Sequence, residues 1–183
     1  DAGDDEQCRE LGRALITGDT YGSADPARGG ALLTKACDRS AWGACRELGQ
    51  AYLDGDLPED AARGRDLLAR ACDHGDDDAC YWLGKELIDL DPAKALATFT
   101  AECEHDDRGC DAAADLYRVG VPGIDRDRRR AYDLYSAACT SGSMYDCHKR
   151  DCWWHSDSDA CYKFHHHDLP DRLFKLDKRF DVR

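Results

Sequence analysis

Asparagine is absent from the 183 residues, so no N-x-Ser/Thr acceptor exists and N-glycosylation is excluded. No window approaches the roughly 18 consecutive apolar residues of a membrane span. The opening Asp1-Ala2-Gly3-Asp4-Asp5-Glu6 lacks the basic and apolar regions of a signal peptide, so a targeting segment of an exported protein is expected to have been removed. Basic runs with interleaved aromatics are missing apart from Arg126, Arg128, Arg129 and Arg130. An acidic surface repels phosphate backbones, so nucleic acid is not an expected partner. Also missing are G-x-S-x-G, S-x-x-K, K-T-G, H-E-x-x-H, a P-loop and C-x-x-C-H, which leaves no recognisable nucleophile, metal-hydrolase site, phosphate cradle or haem attachment.

What is present is charge and sulfur. There are 38 Asp+Glu against 25 Lys+Arg, a formal net charge of −13, and 11 cysteines. Asp supplies 31 of the acids and Arg 18 of the bases, which reads as the coding bias of a GC-rich genome. A chain of roughly 150 residues already buries about 68–70% of its unfolded surface, so these cysteines are not compensating for small size.

The cysteines are phased. Cys37/Cys45, Cys72/Cys80, Cys103/Cys110 and Cys139/Cys147 have seven, seven, six and seven residues between them, and successive first members lie 35, 31 and 36 apart. Self-similarity at one period signals a repeat architecture. Eight residues before each first cysteine stands a small residue (Gly29, Gly64, Ala95, Ala131), and four before it a large one (Leu33, Leu68, Phe99, Tyr135). That spacing describes the packed face of a helix, here termed A. Counting from the second cysteines and from Cys8, four residues on come Gly12, Gly49, Gly84 and Ala114, and ten residues on Gly18, Gly55, Leu90 and Gly120. This is a second helix, B, with a close-packed small residue and a glycine stop. Asp25-Pro26, Pro58-Glu59-Asp60, Asp91-Pro92 and Pro122 carry the turns and helix starts between repeats. The expected fold is an all-α solenoid of helix-turn-helix repeats, about 36 residues each.

Each cysteine pair faces across the short A-to-B turn, where Cα separations fall in the disulfide range of roughly 4.4–6.8 Å. Zinc competes as an explanation. It favours C-x₂₋₄-C clusters with four ligands brought together, whereas these pairs are spread one per repeat. Four disulfides and an oxidising compartment are therefore expected. Cys8 aligns with a B-helix cysteine, so its partner is expected upstream of Asp1 or in another chain.

Two stretches carry a family resemblance. Ala36-Cys37-x₇-Cys45-Arg46-Glu47-Leu48-Gly49-x₂-Tyr52-x₂-Gly55, and Gly120-Val121-Pro122 running on to Arg130-Ala131-x₂-Leu134-Tyr135-x₂-Ala138-Cys139, resemble Sel-1-like repeats. The two-cysteine form is similar to the Helicobacter cysteine-rich protein group. The resemblance covers residues 7–147 and implies about four repeats, the first entered at its second helix, in a tetratricopeptide-like superhelix with one disulfide per repeat. It also implies binding of proteins or peptidoglycan-like ligands, and some members are credited with weak β-lactam binding or hydrolysis. Ala113-Ala114 stands where Leu-Gly is expected and the third repeat is shortened, departures expected to kink or tighten the array locally.

Residues 148–183 do not repeat. They carry net +1 while residues 1–147 carry −14, and they hold five of the seven His and two of the four Trp. Terminal repeats are atypical because they cap an open apolar end, and a last helix from Asp168 with Leu169, Leu173, Leu176 and Phe180 as its stripe fits that role. Cys152 and Cys161 are expected to form a fifth disulfide. The alternative is a copper, zinc or haem site from His148, His155, His165, His166 and His167 with one of those cysteines. The Asp54-Gly55-Asp56 and Asp76-Asp77-Asp78 runs lack EF-hand spacing and read as solvated loops.

The leading expectation is a non-enzymatic interaction module, without cofactor, for a protein or peptide with a basic patch. Its compartment is periplasmic or secreted in a bacterial envelope, with the mitochondrial intermembrane space as alternative. Candidate partner-binding residues are Tyr81, Trp82, Trp153 and Trp154. Tyr52 and Tyr117, at a repeat-consensus position, are expected to pack instead. The metal- or haem-handling tail is the second reading, and a β-lactam or cell-wall hydrolase the third.

Overall fold

The computed structural model describes residues 2–18, 24–58 and 60–140, with 147 and 150 singly. The expected Cys152–Cys161 bridge, Trp153, Trp154, the tail histidines His148, His155, His165, His166 and His167, and the capping helix from Asp168 lie outside the described residues.

Among the described residues eight helices follow one another: α1 (Ala2–Thr17), α2 (Pro26–Cys37), α3 (Trp42–Asp54), α4 (Ala61–Asp73), α5 (Asp77–Leu87), α6 (Pro92–Glu102), α7 (Asp107–Val119) and α8 (Arg128–Thr140). Odd-numbered helices are B helices and even-numbered ones A helices. No strand occurs among the described residues, only an isolated antiparallel bridge between Val121 and Ile124 in the α7–α8 turn. The chain forms two compact units, Asp1–Glu86 and Leu87–Arg183.

Aspartate starts most of these helices. The side chains of Asp25, Asp60 and Asp91 accept from the backbone N–H three residues on, at 3.0–3.1 Å, and Pro26 and Pro92 fill the first helical positions. Asp76 does the same for α5, Asp127 accepts from the N–H groups two and three residues on at the start of α8, and Asp106 accepts from the Arg108 N–H two residues on at the start of α7. Such caps contribute about 1 kcal/mol each. Part of the aspartate excess is therefore helix capping, a role composition alone conceals. At the other end, Gly55 follows α3 with φ 81° and Gly120 follows α7 with φ 73°, conformations costly for any residue with a Cβ.

In the first unit α1 packs on α2 and α3 on α4 through glycine. A Cβ on Gly29 would lie 2.5 Å from the Gly12 carbonyl oxygen, and one on Gly64 2.9 Å from that of Gly49. The core beneath is Leu33, Ala36, Ala44, Cys45, Leu48, Leu68, Ala71 and Ala79. In the second unit, Ala114 and Ala131 take the corresponding small positions beside Tyr135, with Tyr117 and Leu134 around them. The expected departure at Ala113-Ala114 thus leaves a close small-residue contact between α7 and α8.

The four phased cysteine pairs are disulfides. Cα separations are 4.7 Å for Cys37–Cys45, 4.6 Å for Cys72–Cys80, 4.4 Å for Cys103–Cys110 and 4.7 Å for Cys139–Cys147. Cys45, Cys80 and Cys110 each lie in the opening turns of a complete B helix, α3, α5 and α7. Cys147, like Arg150, is half-buried and helical. Cys8 is a half-buried free thiol packed on the first core.

Candidate interaction groove

A groove of about 180 Å³ opens in the first unit between α1 and α3. Arg13, Ile16 and Thr17 of α1 form one side, and Glu47, Gln50, Ala51 and Asp54 of α3 the other. Leu33 of α2 lies at its base, and Asp56 stands just beyond the Gly55 stop. These positions follow from the repeat. Counted from the cysteine that begins each B helix, Arg13 and Gln50 are both five on, and Thr17 and Asp54 both nine on, while Glu47 is two on. Offsets of two, five and nine fall on one side of a helix, away from the small residues that meet the next A helix.

Charge on this side is partly organised. Arg9 of α1 binds Glu6 on its own helix and Glu47 Oε1 on α3. These bonds hold Glu6 below the usual carboxylate range and Arg9 even more firmly protonated, against the opposing effect of burial. The Glu47 side chain is only 9% exposed, and its Oε2 has no hydrogen-bond partner among the described residues. Asp54 is pushed above the usual carboxylate range, first by burial and then by the charge of Asp56, with Lys85 acting in the opposite sense. Arg46 of α3 reaches Asp76 at 3.2 Å and Asp78 at 3.9 Å, and Trp42 stacks on His74 with centroids 3.8 Å apart.

The next register belongs to α5. Trp82 is two residues past Cys80, the position equivalent to Glu47, and Lys85 is equivalent to Gln50. Trp82 is 37% exposed, and Tyr81 meets it edge-on with centroids 6.1 Å apart. Lys85 Nζ lies 4.4 Å from the Trp82 ring centre and 5.6 Å from that of Tyr81, a cation–π arrangement. The structure thus places Tyr81 and Trp82 together with a cation on an accessible surface. Tyr52 and Tyr117 are half-buried and pack against their cores, each under a guanidinium from the following A helix, Arg63 at 4.9 Å and Arg130 at 5.3 Å.

Sequence reasoning passed over Glu47, Gln50 and Arg13, and it treated both aspartate runs as solvated. Asp54 and Asp56 are exposed, as that reading has it, but they edge the groove. Asp76 and Asp78 are half-buried and ion-paired rather than free in solvent, because Asp76 caps α5 beside Arg46. The signal that could have found the groove was the shared register of Arg13 with Gln50. No cluster of three or more His, Cys, Asp or Glu able to hold a metal occurs among the described residues.

In the second unit the same register reads Ala112, Asp115 and Val119, and Asp115 and Val119 are buried. Asp115 there accepts from Arg118 Nε at 3.0 Å and from the Tyr135 hydroxyl, which also receives Arg118 Nε–H at 3.1 Å. All three residues are at most 3% exposed. Burial first, then the Asp115 charge, pushes the Tyr135 phenol well above its ordinary range.

No curated protein matches the chain. Among solved structures it is similar to c5321, described as a protective antigen present in uropathogenic Escherichia coli strains and displaying an SLR fold. The identity is 19% and the TM-score 0.71, over 97% of this chain and 38% of that one. It is also similar to a Sel1 repeat protein from Oxalobacter formigenes, with 18% identity and a TM-score of 0.70, over 97% of this chain and 73% of that one. The chain thus spans well under half the length of the E. coli protein, and at these identities the likeness establishes the fold, an all-α repeat solenoid. A family model described as Sel1 repeat matches residues 8–40, 42–76 and 109–143. Those three stretches make up more than half of the sequence, each begins on or beside a B helix and runs through the following A helix, and the chain belongs to the Sel1-repeat family.

Proposed function

We propose that the protein is a non-enzymatic interaction module that binds a protein or peptide segment with a basic patch across the α1, α3 and α5 side of its first unit. The observation that carries this reading is the open groove with three carboxylate residues and one guanidinium, followed one register on by the accessible Tyr81–Trp82–Lys85 cluster. Aromatic anchors beside charged groups are the usual makings of a binding surface, and complementary charge chiefly sets association rate and specificity. Net charge of −13 adds long-range attraction for a basic partner. No cofactor enters this reading. One disulfide closing each A-to-B turn supports a periplasmic or secreted setting, where such bonds persist.

The test is an array of short peptides of graded charge probed with the oxidised protein. Basic peptides should retain it at about 0.1 M salt and release it near 1 M, as the screening length falls from about 10 to about 3 Å. Retention indifferent to peptide charge, or no retention, would sink the reading.

A further inference from the structure

Helix α3 meets A helices on two sides. Towards α4, a Cβ on Gly64 would lie 2.9 Å from the Gly49 carbonyl oxygen and 2.8 Å from a Leu53 side-chain carbon. Helix α1 meets α2 in the same register, through Gly12 and Ile16. On its other side α3 meets the preceding helix, α2, to which Cys45 is bonded. One turn on from Cys45, Leu48 lies on that same side. Cys45 is 0% and Leu48 1% exposed. Their equivalents on α1 are Cys8 and Leu11, and both are only half-buried, as is Leu15 a further turn on. Among the described residues α1 packs on α2 and touches α3. The face of Cys8, Leu11 and Leu15 therefore repeats the side of α3 that α2 covers, with no A helix packed along it among the described residues.

The helices that cover such faces have a defined make-up. Both α2 and α4 combine glycine, alanine and leucine on the buried side, carry a cysteine at or beside the last residue, and have a base in the last turn, Lys35 or Arg70. Run antiparallel to α1, such a helix brings that base to the acidic first turn of α1, a match in charge. A second α1 is a poor occupant, because this helix carries four acids against two bases and would repel its copy. The A helices of the chain are already engaged, since the cysteines at the ends of α2, α4, α6 and α8 are all bonded. The same holds in any second copy, which points to a different polypeptide. Gln7, where α3 and α5 carry Ala44 and Ala79, is exposed and long enough to turn aside.

We propose that the face of α1 formed by Cys8, Leu11 and Leu15 docks an amphipathic helix of a partner polypeptide. That helix runs antiparallel to α1, lays its small and apolar residues on Leu11 and Leu15, and brings a cysteine near its C-terminal end opposite Cys8. Continuity with the α2–α3 interface carries the proposal, and the groove is not involved, because it uses the side of α1 that carries Arg13 and Thr17. The two chains become bonded without an added oxidant when the partner cysteine arrives as a mixed disulfide with a small thiol. The Cys8 thiolate attacks the partner sulfur, a Cys8–partner bond forms, the old S–S bond breaks, and the small thiol leaves with the electron pair and takes up a proton.

The experiment uses the oxidised full chain. Its probe is a peptide of the chain's own Asp25–Asp38 segment, with the Cys37 sulfur held as a 2-thiopyridyl mixed disulfide. Release of pyridine-2-thione gives the rate, and non-reducing peptide mass spectrometry gives the site. The peptide should react at Cys8 with a rate that saturates as its concentration rises. Below saturation it should react about tenfold faster than a scrambled peptide or one carrying Leu33→Asp, the effect of about one buried leucine. A peptide with Cys37→Ser should protect Cys8 from iodoacetamide. In the protein, Leu11→Ser should slow the reaction of the parent peptide and leave that of the scrambled one unchanged. Equal rates for the three reactive peptides, a rate that does not saturate, reaction at another cysteine, or no protection overturns the proposal. So does protein recovered from its source with Cys8 bonded within its own chain, because the face is then covered without a partner.

Discussion

Adjacent glycines in α2 provide a test of what sets helix spacing in the first unit. Gly29 and Gly30 are both buried, and replacing either by alanine in a helix interior gains about 1 kcal/mol of propensity. Their surroundings differ. A Cβ on Gly29 would sit 2.5 Å from the Gly12 carbonyl oxygen and 2.7 Å from an Ile16 side-chain carbon, whereas one on Gly30 would sit 3.1–3.2 Å from the terminal carbons of Leu57. A backbone carbonyl inside a helix cannot turn aside, so Gly29→Ala must push α1 away from α2, at the upper end of the about 1–3 kcal/mol typical of overpacking. Leu57 can yield by a few tenths of an ångström, for a cost below about 1 kcal/mol. Net of propensity, Gly29→Ala should destabilise by about 2 kcal/mol and Gly30→Ala should stay within about 0.5 kcal/mol of the parent. For a unit of this size that corresponds to a fall in Tm of about 10 °C for the first and little change for the second. The assay is thermal unfolding by far-ultraviolet circular dichroism with the disulfides kept oxidised. If Gly29→Ala proves as stable as Gly30→Ala, helix approach is not what the glycine provides, and the reasoning fails.

Two further outcomes follow from the same structure. Paired serine substitution of Cys72 and Cys80 should cost about 2.5 kcal/mol in the chain-entropy account of a nine-residue loop, read as a lower denaturant midpoint that matches mild reduction of that bond. Tyr135 should make stability fall at high pH. Its folded pKa is raised, so above about pH 10 the unfolded chain loses a phenolic proton that the folded chain keeps. The unfolded state then binds fewer protons and stability declines with rising pH. The stability contribution is complete below the unfolded pKa, and Tyr135→Phe should abolish its share of the alkaline decline in chemical denaturation.

The frame was legible in the sequence because it depends on short-range rules. Cysteine spacing, the small residues at Gly12, Gly29, Gly49 and Gly64, the Asp-Pro starts and the glycine stops each act within one turn or one helix pair, and the structure uses each for that purpose. The groove was not legible, because being open is a property of what neighbouring helices leave uncovered. Glu47 and Asp115 are both acids on a B helix, yet Glu47 lines a groove and pairs with Arg9 while Asp115 is buried against Arg118 and Tyr135. Arg118 could have been noticed, since it stands eight residues past Cys110 where Ile16, Leu53 and Ile88 occupy the equivalent place. Its partner Tyr135 comes from the following helix, at a position where the other repeats carry Leu or Phe, so only the packed pair reveals why both are polar.

The division of labour along each B helix explains how a recognition surface can be built on so constrained a frame. Disulfides fix the turn that leads into α3 and into α5, glycines at offset four fix α1 on α2 and α3 on α4, and aspartate caps fix the starts of α2, α4 and α5. None of those residues points along offsets two, five and nine. Those offsets carry Glu10, Arg13 and Thr17 on α1, Glu47, Gln50 and Asp54 on α3, and Trp82, Lys85 and Asp89 on and just past α5, with no residue type recurring at offset five. Exchanging a surface residue away from special features typically changes stability by less than about 0.5 kcal/mol, so these offsets can diversify without loosening the helix pairs. Glu47 departs from that rule, because its side chain is only 9% exposed, is ion-paired to a neighbouring helix and has one oxygen with no donor among the described residues. Exchanging Glu47 should therefore cost stability where exchanging an exposed neighbour does not, because Arg9 of α1 would lose its partner on α3.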